Sequence, residues 1–414
     1  MNVLDIKPGV KWLGVQDHEI RVFDIIMVTE FGTSYNSYLI QGTEKTALVE
    51  TVKVKFWDSY LAKLQETVDL KSIDYVIVDH TEPDHAGSLE KLLELIPDVT
   101  IVGSPVALKY LKAITNREFK AMPVNAKSTL DLGGKTLSFI PAPLLHWPDS
   151  MYTYLHEDKV LFTCDSFGAH YAFDEVLLSK VQDRTDYYSA LKYYYDCIMG
   201  PFKSSMTSAI QKIEHLDLDV ICNGHGPVLD VNPREIVELC KEWSVETNPN
   251  SGRSVVVPYI SVYGYTELMA REIKRSIEDT GEGIEVTLFD LTACELSEVL
   301  DKIYWADGLL FGSPTINADT LPPIWNLLSH LNPIVHGKKL AGVFGSYGWS
   351  GEAIKNIEAR LGQLRLKVVP NLRTVFKPSE DELTEAYEYG RRFAQELVNP
   401  GTGFPVEAEA EAVV

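Results

Sequence analysis

Cysteine is scarce in this sequence of 414 residues, and none of its five cysteines stands in a C-x-x-C pair. An odd number of scattered cysteines argues against a disulfide framework, and the missing pair argues against a zinc or iron–sulfur module. We expect buried, reduced thiols at the five positions, which are Cys164, Cys197, Cys222, Cys240 and Cys294. Any electron-carrying iron–sulfur unit would therefore sit on another chain.

Positive charge and long apolar runs are also lacking. The 38 Lys and Arg residues against 59 Asp and Glu residues give a net charge of −21, which repels the phosphates of nucleic acids and anionic lipid headgroups. No run of about 18 apolar residues occurs, and the beginning of the chain, "MNVLDIKPGVKWLGVQ", does not resemble a signal peptide. We expect a cytoplasmic protein that binds neither nucleic acid nor membranes.

The two halves of the chain have different patterns, which predict two domains. In residues 1–248, short β-rich runs such as "YVIVDH" and "VLFTCDS" are separated by turns and a few helices. In residues 254–398, five apolar β runs alternate with five helices, the order of a doubly wound α/β sheet of flavodoxin size. The polar segment "TNPNSGRS" between them marks the boundary. Residues 399–414 have no periodic core face and are predicted to form a flexible tail.

Potential metal ligands are concentrated in "HTEPDH", where an apolar strand ends and a helix begins. Two carboxylates and two imidazoles this close together are costly to bury without a metal or other partners. Single histidines after strands are more often core residues, but three further candidates also follow β runs. The seven candidate ligands are His80, Glu82, Asp84, His85, His146, Asp165 and His225. Because strand ends on one edge of a sheet converge in space, we expect these side chains to meet.

The number and type of these ligands favour a site with two metals. Seven ligands exceed what one tetrahedral zinc can use, whereas two metals bridged by a carboxylate need about this number. Imidazoles and carboxylates without a thiolate form a hard set that suits iron or manganese. Zinc with hydrolysis remains open at this point, and iron with redox chemistry is favoured if the second domain supplies electrons.

The second half has features of a flavin mononucleotide site. Its first strand leads into "SVYGYTE" (261–267), where hydroxyl groups and Gly264 precede a helix N-terminus that suits a phosphate. Two further strand-end loops, "SPTINADTLPP" and "GSYGWSGEA", place Asn317, Tyr347 and Trp349 where a flat ring could stack and be hydrogen-bonded. The pattern G-x-G-x-x-G is absent, so FMN is favoured over NAD or FAD.

The order of these motifs closely resembles that of the flavodiiron proteins, also called A-type flavoproteins. The matching motifs are "H-x-E-x-D-H", "LHWPDS", "CDSFG" and "GHG", followed by a flavodoxin-like module with "SPT" and "GWSG". The resemblance runs from about Leu4 to Val398 and implies a metallo-β-lactamase-like αββα sandwich followed by a flavodoxin-like doubly wound parallel sheet. Glu82 replaces the second histidine of the usual zinc motif H-x-H-x-D-H, which is the family's mark of iron in place of zinc.

The resemblance also implies roles for individual residues. One iron would be held by His80, Glu82 and His146, the other by Asp84, His85 and His225, with Asp165 bridging the two. Tyr195 is similar to a tyrosine near the family's iron site and is a candidate for hydrogen bonding the bound ligand, with plain helix packing as an equal alternative. FMN would be bound by Ser261, Tyr263, Gly264, Tyr265, Thr266, Glu267, Ser313, Pro314, Thr315, Ile316, Asn317, Ala318, Ser346, Tyr347, Gly348, Trp349, Ser350 and Gly351.

The function implied by the resemblance is reduction of O2 to water, of NO to N2O, or of both, with electrons relayed through FMN. The family forms head-to-tail homodimers or dimers of dimers, and its usual electron donor is a separate rubredoxin, more rarely a reduced deazaflavin. The ligand set does not distinguish O2 from NO. Two other functions remain open from the residues alone: a dizinc hydrolase of the metallo-β-lactamase type fused to a flavodoxin-like module, and a plain electron carrier whose first domain is structural.

Overall fold

The structure, a computed structural model, describes residues 3–24 and 27–404. The chain divides into two compact units between Glu246 and Thr247. Among the described residues, none of the helices has the length and apolar character of a membrane span.

Among the described residues, the first unit contains two large β-sheets and two small two-stranded sheets. Its strands are β1 (Leu4–Lys7), β2 (Val10–Trp12), β3 (Val15–Asp17), β4 (Val22–Phe23), β5 (Met27–Val28), β6 (Thr33–Tyr35), β7 (Tyr38–Gln41), β8 (Thr46–Val49), β9 (Tyr75–Val78), β10 (Thr100–Gly103), β11 (Lys120–Pro123), β12 (Thr129–Asp131), β13 (Thr136–Pro141), β14 (Met151–Leu155), β15 (Val160–Cys164) and β16 (Val220–Asn223). In the described part of the chain, one large sheet has the order β1-β2-β7-β8-β9-β10-β11 and the other the order β12-β13-β14-β15-β16. The small sheets are the antiparallel pairs β3-β6 and β4-β5.

Helices cover the outer faces of both sheets. They are α1 (Trp57–Thr67), α2 (Pro83–Ala86), α3 (Leu89–Leu95), α4 (Pro105–Thr115), α5 (Arg184–Tyr194), α6 (Lys203–Ile213) and α7 (Pro233–Trp243). Successive side chains of a strand point to opposite faces. Val76 of β9 accordingly packs against α1, α3 and α4, whereas Ile77 packs between the sheets.

The second sheet alternates in the same way. Phe162 of β15 faces the space between the sheets, and Leu161 packs against α5, α6 and α7. The first unit is therefore a four-layer αββα sandwich, which confirms the fold predicted for it. Residues at the ends of its inner strands are the ones that form the site described below.

The second unit is a parallel sheet with helices on both faces. Its strands are β17 (Ser254–Tyr259), β18 (Glu285–Asp290), β19 (Gly308–Gly312), β20 (Leu340–Tyr347), β21 (Lys367–Val368) and β22 (Leu372–Val375), and its helices are α8 (Tyr265–Asp279), α9 (Leu296–Trp305), α10 (Pro322–His330), α11 (Glu352–Gln363) and α12 (Glu380–Val398). Val255 of β17 packs against α8 and α12, whereas Val256 packs against α9, α10 and α11. The order β18-β17-β19-β20-β21 confirms the predicted doubly wound sheet.

The fifth predicted β run, "KVVPNLRTVF", forms two short strands in place of one. Both pair with β20 in parallel, β21 at Leu340–Ala341 and β22 at Phe344–Tyr347. Pro370 lies between them and has no N–H to donate to the sheet, which is why the run is interrupted there.

The segment predicted as a tail begins with an ordered turn against α12. Glu396 accepts hydrogen bonds from the N–H groups of Gly401 and Gly403, and the buried ring of Phe404 packs against Tyr389. The remainder of the predicted tail, residues 405–414, lies outside the described residues.

Candidate metal centre and flavin pocket

The seven predicted metal ligands meet where the strands of the two sheets in the first unit end. His80 follows β9 by two residues, and Asp165 directly follows β15. His225 follows β16 by two residues, while His146 comes from the connection between β13 and β14. The remaining ligands, Glu82, Asp84 and His85, stand just before or within the short helix α2.

The first group of ligands surrounds one oxygen of Asp165. Glu82 Oε2 lies 3.3 Å from His80 Nε2 and 2.9 Å from His146 Nε2. Asp165 Oδ2 lies 3.4 Å from His80 Nε2 and 3.5 Å from His146 Nε2. His146 therefore belongs to this group by its position.

The second group surrounds the other oxygen of Asp165. Asp165 Oδ1 lies 2.9 Å from His85 Nε2 and 3.4 Å from His225 Nε2. Asp84 completes the group, with Oδ2 3.1 Å from His225 Nε2 and Oδ1 3.5 Å from His85 Nε2. All four imidazoles thus present Nε2, and the Asp165 carboxylate is shared by the two groups.

The charges and the unsatisfied atoms of this cluster fit two cations. Within the described residues, both carboxylate oxygens of Asp84 and Oδ2 of Asp165 are buried without a hydrogen-bond donor, and such oxygens are costly to bury unless a cation or donor meets them. Burial alone would lower the pKa of His146, but the neighbouring Asp165 and Glu82 carboxylates raise it to about 9. The carboxylates therefore attract positive charge to this position, and the hard nitrogen and oxygen donor set suits iron.

Two carboxyl groups outside the predicted ligand set support the ligand loop. Asp149 Oδ2 accepts hydrogen bonds from His80 Nδ1 at 3.1 Å and from the N–H of Thr81 at 2.8 Å. Glu50 Oε1 accepts from the N–H groups of Asp79 and His80 at 2.7 and 3.0 Å. Asp149 lies in the motif "LHWPDS" and Glu50 directly follows strand β8. Neither position in the sequence indicates a contact with His80.

His225 is oriented from its other nitrogen. Its Nδ1 donates to the carbonyl oxygen of Ser34 at 2.6 Å, which leaves Nε2 free for the cluster. His170 packs against the His225 ring at a centroid distance of 5.0 Å and bonds Thr33 Oγ1 at 2.8 Å. Gly224 lies so close to His85 that a Cβ there would be 2.7 Å from Cε1, which explains a glycine before His225.

Tyr195 and its neighbour Tyr194 face different surroundings. The Tyr195 hydroxyl lies 2.7 Å from Ser244 Oγ, and its ring packs against Trp243. Tyr194 is fully buried, and its ring packs 4.8 Å from the ring of His170 and 6.0 Å from that of His225. Burial, followed by the charge of Asp165, raises the pKa of Tyr194 well above its ordinary value. The tyrosine ring that packs beside the ligand cluster is thus that of Tyr194, whereas Tyr195 contacts Ser244 and Trp243.

A second candidate site lies in the second unit, at the carboxyl ends of the parallel strands. It is a pocket of about 350 Å³ lined by Ser261, Val262, Tyr263, Tyr265, Thr266, Pro314, Thr315, Ile316, Asn317, Ala318, Ser346, Tyr347, Gly348, Trp349, Ser350 and Phe376. Strand β17 has β18 on one side and β19 on the other, so the pocket opens at the point where the strand order reverses. Ligands of open α/β sheets bind at this position.

Fourteen of the eighteen residues predicted to contact FMN line this pocket, and four do not. Gly264 caps α8 with a φ of 82°, and Glu267 forms an ion pair with Arg271. Ser313 is fully buried and accepts a hydrogen bond from Thr320 Oγ1 at 2.7 Å. Gly351, the fourth, precedes α11.

Val262 and Phe376 line the pocket without having been predicted. Phe376 follows the short strand β22, and its ring lies so close to Gly348 that a Cβ there would be 2.7 Å from Cε1. Tyr263 and Trp349 are 80% and 98% exposed. The pocket thus has an aromatic rim, which suits a flat ring.

Comparison with known proteins agrees with both units. The family model described as "ODP family beta lactamase" matches residues 33–226, and the one described as "Flavodoxin" matches residues 257–390. A flavo-diiron protein of Clostridium acetobutylicum is 40% identical over 96% of this chain and 100% of its own. The anaerobic nitric oxide reductase flavorubredoxin of Vibrio vulnificus is 34% identical over 95% of this chain and 79% of its own.

Solved structures are similar over both units. The flavodiiron protein from Giardia intestinalis has a TM-score of 0.63 and 30% identity, covering 96% of this chain and 97% of its own. The rubredoxin oxygen:oxidoreductase from Desulfovibrio gigas has a TM-score of 0.65 and 29% identity, covering 96% of this chain and 99% of its own.

The fold and the two sites define a protein class in which a metallo-β-lactamase-like domain with paired metal ligands precedes a flavodoxin domain. The chain belongs to the flavodiiron protein family, as the extent of the match to its relatives shows. Its cofactors are FMN and a non-haem pair of iron ions. The dizinc hydrolase considered from the sequence is not favoured.

Proposed function

We propose that this chain reduces O2, NO or both at a diiron centre, with electrons relayed through FMN. The observation that carries the proposal is the shared Asp165 carboxylate, whose two oxygens contact separate groups of imidazole and carboxylate ligands. The names of two relatives, a nitric oxide reductase flavorubredoxin and a rubredoxin oxygen:oxidoreductase, support these two substrates. Ferrous ions would supply electrons to a small diatomic molecule, and FMN would supply them with electrons two at a time.

The proposed ligand assignment follows the two groups. His80, Glu82 and His146 would hold one iron, Asp84, His85 and His225 would hold the other, and Asp165 would serve both. The contacts described above support this division, because each oxygen of Asp165 lies within 3.5 Å of the histidines of one group. Glu82 and His146 keep some exposure, 16% and 17%, whereas His80 and His85 are fully buried. Substrate is therefore expected to enter on the side of Glu82 and His146.

Other residues of this chain position the ligands. Asp149 and the Ser34 carbonyl hold His80 and His225 by the nitrogens that face away from the cluster, which fixes the tautomer and the ring orientation. The raised pKa of Tyr194 keeps its phenol protonated, so it is available as a hydrogen-bond donor near the second group. The sequence-based assignment of this role to Tyr195 is replaced by Tyr194.

FMN is assigned to the pocket of the second unit. The loops after β17, β19 and β20 supply most of its lining, and helix α8 begins directly behind the first of them. A helix N-terminus and backbone N–H groups attract a phosphate, while Tyr347 and Trp349 offer aromatic faces to the ring. Retention of FMN by the purified protein, measured from its absorption spectrum against protein concentration, tests this assignment.

The electron donor is proposed to be a separate rubredoxin, with a reduced deazaflavin as the rarer alternative. This chain contains no C-x-x-C pair that could form a rubredoxin of its own. Mixing FMN-loaded protein with each reduced donor in a stopped-flow spectrometer, and following the loss of flavin absorption, distinguishes the two. Reduction by neither donor would contradict the proposal.

The active unit is proposed to be a head-to-tail homodimer, in which FMN of one chain serves the iron pair of the other. The side chains of Tyr263 and Trp349 at the rim of the flavin pocket are exposed. Exposed aromatic side chains of this kind support an assembly in which a partner chain covers them. Mixed dimers of a chain without iron and a chain without FMN are expected to regain part of the activity. No activity in verified mixed dimers would contradict this arrangement.

A further inference from the structure

A strained turn forms one wall of the flavin pocket. The turn runs from Ile316 to Asp319. The N–H of each of these two residues donates to the carbonyl oxygen of the other at 3.1 Å. Its two central residues, Asn317 and Ala318, have φ values of 54° and 56°. Two successive residues with positive φ define a type I′ turn, which normally has glycine or asparagine at these positions. Alanine tolerates this conformation poorly because its Cβ approaches the carbonyl oxygen, so the turn needs support from its surroundings.

The support comes from one carboxylate. Asp319 Oδ1 accepts hydrogen bonds from the backbone N–H of Thr320 and from Asn356 Nδ2 of α11, both at 2.7 Å. Asp319 Oδ2 accepts from Trp325 Nε1 of α10 at 3.1 Å. The bond from Asn356, together with the other two donors, lowers the pKa of Asp319, so the group is an ionised acceptor at neutral pH. The turn is therefore tied to two helices that do not themselves line the pocket.

The same turn supplies the pocket wall. Pro314, Thr315, Ile316, Asn317 and Ala318 all line the pocket, and Asp319 follows them immediately. At the other end of this segment, Ser313 is fixed by Thr320 Oγ1 and by the N–H bond to the Phe344 carbonyl at 3.1 Å. The hydrogen bonds of Ser313 therefore hold the beginning of this segment, and those of the Asp319 carboxylate hold its end.

We propose that Asp319 is a positioning residue of the flavin site, which holds turn 316–319 against α10 and α11 so that its backbone shapes the pocket for FMN. This inference rests on the proposed binding of FMN in this pocket. It assigns Asp319 no contact with the flavin. Its effect passes through the conformation of residues 314–318.

The chain offers a matched control in Asp290. This carboxylate also holds a strand-end turn of the same sheet, since Oδ1 accepts from the N–H and the hydroxyl of Thr292 at 2.9 and 2.7 Å. Both aspartates are half-buried, but the loop after Asp290 does not line the pocket. Replacing either aspartate is therefore expected to lower stability, but only replacing Asp319 is expected to weaken FMN binding.

The test measures the FMN dissociation constant of full-length protein stripped of FMN, from the quenching of FMN fluorescence on binding. Asp319→Ala is expected to raise the constant about tenfold or more, the equivalent of one hydrogen bond to a charged group. Asp290→Ala is expected to leave it unchanged. Asp319→Asn, which keeps an acceptor oxygen but loses the charge, should lie between wild type and Asp319→Ala.

Two further readouts separate positioning from simple destabilisation. The visible circular dichroism of bound FMN is expected to shift toward that of free FMN in Asp319→Ala, which a uniform loss of stability does not produce. The effects of Asp319→Ala and Asn356→Ala on the dissociation constant should be non-additive, because both substitutions remove the same contact. If Asp319→Ala does not fold, Asp319→Asn and Asn356→Ala carry the same test.

The outcomes are distinct. An unchanged FMN constant and spectrum in Asp319→Ala, beside tight binding by the wild type, would overturn the positioning role alone. Equal losses in Asp319→Ala and Asp290→Ala would also overturn it. Failure of the wild-type protein to bind FMN would overturn the proposed flavin site, and this inference with it.

Discussion

Asp149 Oδ2 lies 3.1 Å from Nδ1 of His80, and this contact turns Nε2 of the same imidazole toward Glu82 and Asp165. A carboxylate behind a metal-binding histidine fixes its tautomer and makes it a more basic ligand. The residues that hold the ring therefore matter nearly as much as those that touch the metal.

Asp149→Asn is expected to weaken iron binding about 10- to 100-fold, the usual effect of losing such a partner. Competition with a ferrous chelator measures this directly. Asp131→Asn is the control, because the Asp131 carboxylate also accepts a backbone N–H, that of Gly133, but in an exposed turn. Equal iron retention in the Asp149 variant and the wild type would show that His80 needs no such support.

Asp165→Asn is expected to lower the iron content well below two per chain and to abolish gas reduction. The amide cannot offer two anionic oxygens to the two ligand groups, and the positive charge of two metal ions is then less well balanced. Iron is quantified by elemental analysis of the purified protein. Asp98→Asn, at a carboxylate that is 93% exposed, should keep both irons. Full activity in Asp165→Asn would refute the bridging assignment.

The neighbouring tyrosines are expected to respond differently to loss of the hydroxyl. Tyr194→Phe should lower kcat by about tenfold or more, as for removal of a donor near reacting atoms, with little change in stability. Tyr195→Phe should lower stability by about 1 kcal/mol, because one buried hydrogen bond to Ser244 Oγ is lost while the bond from Ser244 Oγ to the Cys240 carbonyl remains, and should leave kcat unchanged. Steady-state kinetics and thermal unfolding of the two variants distinguish these effects. The reverse pattern would restore Tyr195 as the functional residue.

Gly264 and Gly362 form a matched pair in the second unit, since a Cβ at either would meet no atom within 4 Å. Gly264 has a φ of 82°, so Gly264→Ala should cost about 1–2 kcal/mol and weaken FMN binding at the start of α8. Gly362 lies within α11, where alanine should stabilise by about 0.5–1 kcal/mol. The temperature at which FMN is released, measured from the rise in its fluorescence, is therefore expected to fall in Gly264→Ala. In Gly362→Ala it is expected to rise or to remain unchanged. A fall of equal size in both would contradict the strain argument.

Much of the ligand cluster was predictable because its residues follow apolar strands, whose ends meet at one edge of a sheet. Nothing in the sequence connects Asp149 to His80, which lies 69 positions earlier, so its contact depends on the tertiary fold. Glu50 was not predicted for the same reason, since its role is to bond backbone groups of another strand end.

Local backbone detail explains the other differences. Helix α5 passes into a π-helical turn at Tyr195–Met199, and no residue pattern in "KYYYDCI" indicates which tyrosine faces the cluster. Phe376 was not predicted because "KVVPNLRTVF" has the pattern of one strand, whereas Pro370 divides it and places a separate strand end beside the pocket. The two-domain fold was predicted correctly, the doubly wound second domain from its alternating β runs and helices and the αββα sandwich from the resemblance to the flavodiiron proteins.

The most direct test of the central claim is the steady-state consumption of O2 and of NO, measured side by side with electrodes. The protein is first verified to contain two irons and FMN and is then supplied with reduced rubredoxin. We expect consumption of at least one gas by the wild type and none by Asp165→Asn. Consumption of neither gas, with both cofactors present and the flavin shown to be reduced, would contradict it.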